Sequence, residues 1–93
     1  MTQSEDSKKA FETISEDRLV TLARKIISMP SKLFEEHEVA DYLDGYLSDM
    51  GFVVEMMEVT HPWDDTLTTR QPIATLKGTG GGPSLMVNGH MDT

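Results

Sequence analysis

The chain has 93 residues, 16 acidic and 8 basic, for a formal net charge of −8, and it has no cysteine. A chain this short makes at most one small domain with a modest core, and its acidity argues against a nucleic-acid or anionic-membrane partner. The missing cysteines exclude disulfides and thiolate metal sites, and no apolar run approaches the roughly 20 residues that span a bilayer.

Residues 1–14 are polar and charged apart from Phe11 and Ile14, and read as a frayed lead-in or a short helical turn. The N-terminus lacks the apolar stretch of a secretion signal, so the expected location is cytoplasmic. From Ser15 the pattern changes. Leu19, Val20, Leu22, Ala23, Ile26 and Ile27 recur at the spacing of one helical face. Ser15 suits an N-cap, Glu16 and Asp17 suit the first turn, and the helix ends before Pro30.

A second helix opens with Glu35, Glu36 and Glu38 and carries Val39, Ala40, Leu43, Leu47 and Met50 on one face, with Gly51 as its stop. His37 lies among these glutamates. Adjacent helical positions diverge, however, so neighbours make poor co-ligands and a solvated acidic turn is expected. Tyr42 and Tyr46, four apart, read as a packing pair.

Phe52–Val59 is rich in β-branched and large apolar residues and reads as a strand. His61–Arg70 reads as an exposed loop in which His61, Asp64 and Asp65 could meet a cation without any fixed geometry, and Trp63 could anchor the loop on the core. Pro72–Lys77 reads as a second strand with Pro72 at its start. The glycines of Gly78–Pro83 invite comparison with a phosphate-cradling loop, but that device needs a following helix, and here Pro83 and a short apolar strand, Leu85–Val87, follow. A strand without polar alternation fits a sheet covered on both faces.

That strand leads to His90 and Asp92, two positions apart. In extended backbone such residues share a face. The pairing suits a metal ligand steered by a carboxylate: one imidazole nitrogen takes the cation while the carboxylate accepts the proton on the other. Strand ends are also where α/β folds place their ligands.

Taken together, Met29-Pro30-Ser31, the acidic helix start, Gly51-Phe52-Val53 and, above all, Gly78 through Thr93 with its Asn88-Gly-His-Met-Asp-Thr93 ending resemble the N-terminal part of the M20 family of zinc-dependent amidohydrolases and peptidases. The likeness runs from about Leu19 to Thr93 and leans toward the acetylornithine deacetylase and succinyl-diaminopimelate desuccinylase branch. It implies an α/β fold, the first part of a three-layer α/β/α catalytic domain over residues 15–93, with two helices followed by three strands. It implies that His90 is the first metal-binding histidine and Asp92 the active-site aspartate that orients it. It further implies two Zn2+ ions, with Co2+ as an alternative, a homodimer at full length, and a small N-acyl amino acid or peptide as substrate. A glutamate would act as general base on a metal-bridging water. In the family's order the remaining ligands and that base come after Thr93. One histidine does not hold zinc tightly, so the 93-residue chain alone is expected to be inactive. The alternative from another class is a non-catalytic remnant or partner-dependent interaction module, whose open sheet edge needs a companion.

Overall fold

The computed structural model describes residues 4–93. It is an α/β arrangement of three helices followed by two antiparallel strands: α1 (Glu5–Thr13), α2 (Glu16–Ser28), α3 (His37–Asp49), β1 (Val53–His61) and β2 (Asp64–Thr75). The α/β class agrees with the sequence, while the expected two helices and three strands become three helices and two strands.

The first correction is α1. Ser4 caps it by accepting a hydrogen bond from the Ser7 N–H, and Glu5 and Asp6 occupy the first turn where the helix dipole favours negative charge. These local signals form a nine-residue helix over residues expected to fray or to make only a short helical turn, although α1 buries no side chain. Residues 1–3 of the expected lead-in lie outside the described residues. For α2 the Ser15 side chain accepts from the Arg18 N–H at 3.2 Å, and the helix ends at Ser28, before Pro30.

Helix α3 closes in the way Gly51 suggests. With φ at 97°, Gly51 takes the left-handed conformation. Its N–H reaches the Ser48 carbonyl and the Phe52 N–H reaches that of Leu47, which satisfies two terminal carbonyls. The chain then enters β1 without slack. Val54 and Met56 are half-buried on one face of β1, where Val54 pairs with Ala74 and Met56 with Pro72 across the hairpin, and Val59 is half-buried on the other face, opposite Thr69. Helix α3 packs on both strands.

Two further corrections concern strands. Asp64–Arg70 is the first half of β2 rather than a loop, and the hairpin turns at His61-Pro-Trp-Asp64. The threonines explain this: a β-branched side chain suits pleated backbone even where it faces water. Pro72 consequently lies inside β2 rather than at its start, which an edge strand tolerates because part of its backbone needs no partner. The strand expected at Leu85–Val87 does not form: residues 76–93 have no regular structure, and Leu85, Met86 and Val87 are 89%, 83% and 88% exposed. A strand meant for burial on both faces needs flanking strands and covering layers, and none is present among the described residues.

The core is correspondingly small. Met29, Val39 and Ala40 are its buried apolar residues, joined by buried Ser31, Glu36 and Thr69. Glu36 stands at the N-cap of α3 but makes no cap hydrogen bond, because its carboxylate accepts from the Thr69 hydroxyl on β2 at 2.7 Å. Arg70 reaches Asp41 at 2.7 Å and adds a second, more exposed tie between β2 and α3. The radius of gyration, 16.3 Å, exceeds the roughly 12 Å of a compact domain of this length. Among the described residues no helix is long and apolar enough to cross a membrane.

Candidate metal centre

His90 and Asp92 meet although no strand carries them. The His90 Nδ1 lies 3.2 Å from the Asp92 carboxylate oxygen Oδ1 and 3.0 Å from the Asp92 backbone carbonyl. Both neighbours accept hydrogen bonds and neither donates, so the neutral ring carries its proton on Nδ1. The lone pair is then on Nε2, which makes no hydrogen bond among the described residues. The His90 side chain is 83% exposed and that of Asp92 43%, leaving Nε2 open to solvent. The pair lies along an open groove between residues 76–92 and the α3 and β2 surface, with Leu43, Leu47 and Pro72 on the opposite wall.

Chemically this is one neutral imidazole donor held by a carboxylate, the arrangement that metal-ligating histidines use. Zinc takes three or four protein donors. No group of three or more His, Asp or Glu side chains that could hold a metal ion is present among the described residues. The donor set thus fits one corner of such a site and does not complete it.

The other histidines are occupied differently. His37 is the exposed first residue of α3. His61 accepts the Trp63 N–H on Nδ1 at 3.1 Å, and its ring meets the edges of Phe34 and Trp63 with centroids 4.8 Å and 5.7 Å away. Asp64 is engaged in its own turn, where Oδ1 accepts from the Thr66 hydroxyl at 2.6 Å and the Thr66 N–H at 3.1 Å. Those bonds, the hydroxyl's first, hold the Asp64 carboxyl below the usual aspartate range. His61 and Asp64 therefore build the hairpin turn, Asp65 lies in β2, and the three form no cation site among the described residues. Trp63 does not anchor the turn on the core, being 90% exposed.

A separate cleft of about 460 Å³ lies between α2 and α3, lined by Leu22, Tyr42, Tyr46 and Met50 among others. The tyrosine rings lie 6.1 Å apart, as a packing pair, with Lys25 Nζ 5.6 Å from the Tyr42 ring centre. This is the unfilled seam between two amphipathic helices, remote from the residues that carry chemistry. What the sequence did not indicate is the role of Ser31, whose residue bonds to Thr93 beside the His90–Asp92 pair.

Over 86 residues the chain is similar to a named protein. That protein, from Arthroderma otae, carries the name "Probable carboxypeptidase" and is 30% identical over those residues, which make up 88% of this chain and 19% of the relative. The chain thus spans about a fifth of the length of the curated relative it matches. No known family's sequence profile matches the chain, and no solved structure matches it.

Proposed function

We propose that this chain is the N-terminal part of a metal-dependent hydrolase of the M20 type, which cleaves an N-acyl or peptide amide bond in a small carboxylate-bearing substrate. The observation that carries the reading is the His90–Asp92 pair, with Nδ1 held at 3.2 Å and Nε2 left free. The likeness to a protein named as a probable carboxypeptidase supports the hydrolase class. The Met29-Pro30-Ser31 turn and the glycine-rich approach to His90 support the narrower assignment.

In this reading His90 is the ligand, through Nε2. Asp92 keeps the proton on Nδ1, sets the ring's heading and raises the basicity of the ligating nitrogen. Zinc, or cobalt with similar nitrogen and oxygen preferences, supplies Lewis-acid polarisation of the scissile carbonyl and activation of water when bound. The remaining donors and the general base belong to sequence beyond the described residues.

The test is a chain that carries the coding sequence past Thr93. It should purify with metal, lose amide hydrolysis to a chelator and lose both with His90→Ala. Asp92→Asn should reduce metal affinity or activity about 10–100-fold, the effect typical of removing a ligand's orienting partner. A reading frame that closes directly after Thr93, or metal content untouched by His90→Ala, overturns the proposal.

The exposed Leu85-Met86-Val87 and the free edges of the two-stranded sheet favour a second reading, a non-catalytic module completed by a partner. In that case the 93-residue chain self-associates on sedimentation and takes up zinc only feebly.

A further inference from the structure

Residues 76–93 are joined to the rest of the chain by two hydrogen bonds among the described residues, and both come from one residue. The Thr93 N–H donates to the Ser31 carbonyl at 2.9 Å, and the hydroxyls of Ser31 and Thr93 share a bond of 2.8 Å across 62 positions of sequence. Ser31 is well placed to hold still. It is 2% exposed, it follows a proline whose ring fixes φ, and Met29 just before it is buried in the core. Downstream, the Glu36 carboxylate fastens the end of the same turn to Thr69 on β2. The turn is therefore fixed at both ends by groups that do not touch the His90–Asp92 pair.

The tail has no comparable support of its own. It contains five glycines from Gly78 to Gly89, of which Gly80 and Gly81 adopt φ of 94° and 82°, and its apolar residues Leu85–Val87 lie in solvent. The His90–Asp92 contact spans two residues and sets the ring relative to Asp92 alone. Met91 and Asp92 are half-buried, and the hydrogen bonds that tie this end of the tail to the rest of the described residues are those between Thr93 and Ser31.

We infer that Ser31 is a positioning residue for the His90–Asp92 pair: its buried carbonyl and hydroxyl clip Thr93 and so aim the free Nε2 of His90. This inference rests on the proposed reading of His90 as a metal ligand for its functional meaning, but the clip itself is observable without metal. The backbone bond keeps its donor and acceptor in every variant but a proline at 93, whereas the hydroxyl bond needs a hydroxyl at both positions. Ser31→Ala and Thr93→Val each remove that bond, and Thr93→Ser keeps it. Thr93 is exposed, so its variants leave the core intact even if Ser31→Ala perturbs folding.

The experiment is NMR on the intact 93-residue chain, at a pH where imidazole is neutral, with the β1–β2 amide pattern as the check on folding. In the wild type the His90 Nε2 signal should be that of an unprotonated nitrogen, and the Thr93 amide should be protected from exchange. Thr93→Val and Ser31→Ala should lower that protection about two- to tenfold, as one neutral hydrogen bond implies, and shift the His90 ring signals while the Nδ1–H tautomer, which Asp92 sets, is retained. Thr93→Ser should restore both. If the valine and alanine variants leave ring signals and exchange unchanged, or if Thr93→Ser behaves like Thr93→Val, the positioning role is overturned. The two claims are separable: the metal content of the chain extended past Thr93, with and without His90→Ala, decides on the metal reading, while the exchange and ring readouts on the 93-residue chain decide on Ser31.

Discussion

Helices α2 and α3 have the same length and comparable amphipathic patterns, yet α3 contributes two buried residues and α2 none. The difference lies in their neighbours. Val39 and Ala40 on α3 face the β1–β2 hairpin, which the Gly51 turn folds back against the helix that precedes it. The apolar stripe of α2 has only the edge of α3 to meet, so Leu19, Val20 and Ile27 stay exposed. An amphipathic pattern specifies which face of a helix must be covered. It does not specify by what.

The sharpest way to break this comparison is a pair of alanine substitutions. Val39→Ala, at a position 0% exposed, should lower stability by about 2 kcal/mol through lost burial and the cavity left behind. Leu19→Ala should change it by less than about 0.5 kcal/mol, as at an ordinary surface site. Urea denaturation followed by far-UV circular dichroism compares the two, and equal losses would show that α2 is packed in solution.

A similar effect is expected from Thr69→Val, which leaves the buried Glu36 carboxylate without its donor. An unsatisfied buried group costs about 1–3 kcal/mol. Because this bond ties the start of α3 to β2, native-state hydrogen exchange should show the first turn of α3 opening first.

These contrasts show how far the sequence carries. Ser15 and Gly51 are legible because capping is local: an oxygen or a free φ suffices at one position. Val53–Val59 is legible because its residues favour pleated backbone. The polar half of β2 escapes notice because threonines and aspartates suggest a loop until the partner strand is known. Leu85–Val87 shows the reverse failure, an apolar run whose neighbours are missing. For the site, the two-residue spacing of His90 and Asp92 announces their proximity, and the structure achieves it on irregular backbone rather than in a strand. The Ser31 clip is not legible at all, since no periodic signal links residues 62 positions apart.

Smaller effects sharpen the boundary between packed and unpacked regions. Arg70→Ala removes the ion pair with Asp41, whose side chains are about half exposed. It should reduce stability by no more than about 1 kcal/mol, and less at high salt, because water and counterions already screen the pair. Least of all should be the response of the hairpin tip to acid. The Asp64 carboxyl is held below its usual range by Thr66, so its contribution is present above the unfolded-state value, about 3.9, and is lost as pH falls through the lower folded-state value. The Thr66 amide shift should report a midpoint below that of a free aspartate, while α3 amides remain unmoved.

The position of Trp63 has a practical consequence for every one of these measurements. It is the single tryptophan of the chain and stands at the hairpin tip, 90% exposed, with His61 at its edge. Its fluorescence in the folded protein should already be red-shifted like that of an indole in water, and should change little when α3 and the hairpin separate. Intrinsic emission, the usual optical signal of unfolding, is blind to the core of this molecule, and serves instead as a local gauge of the turn in which it sits.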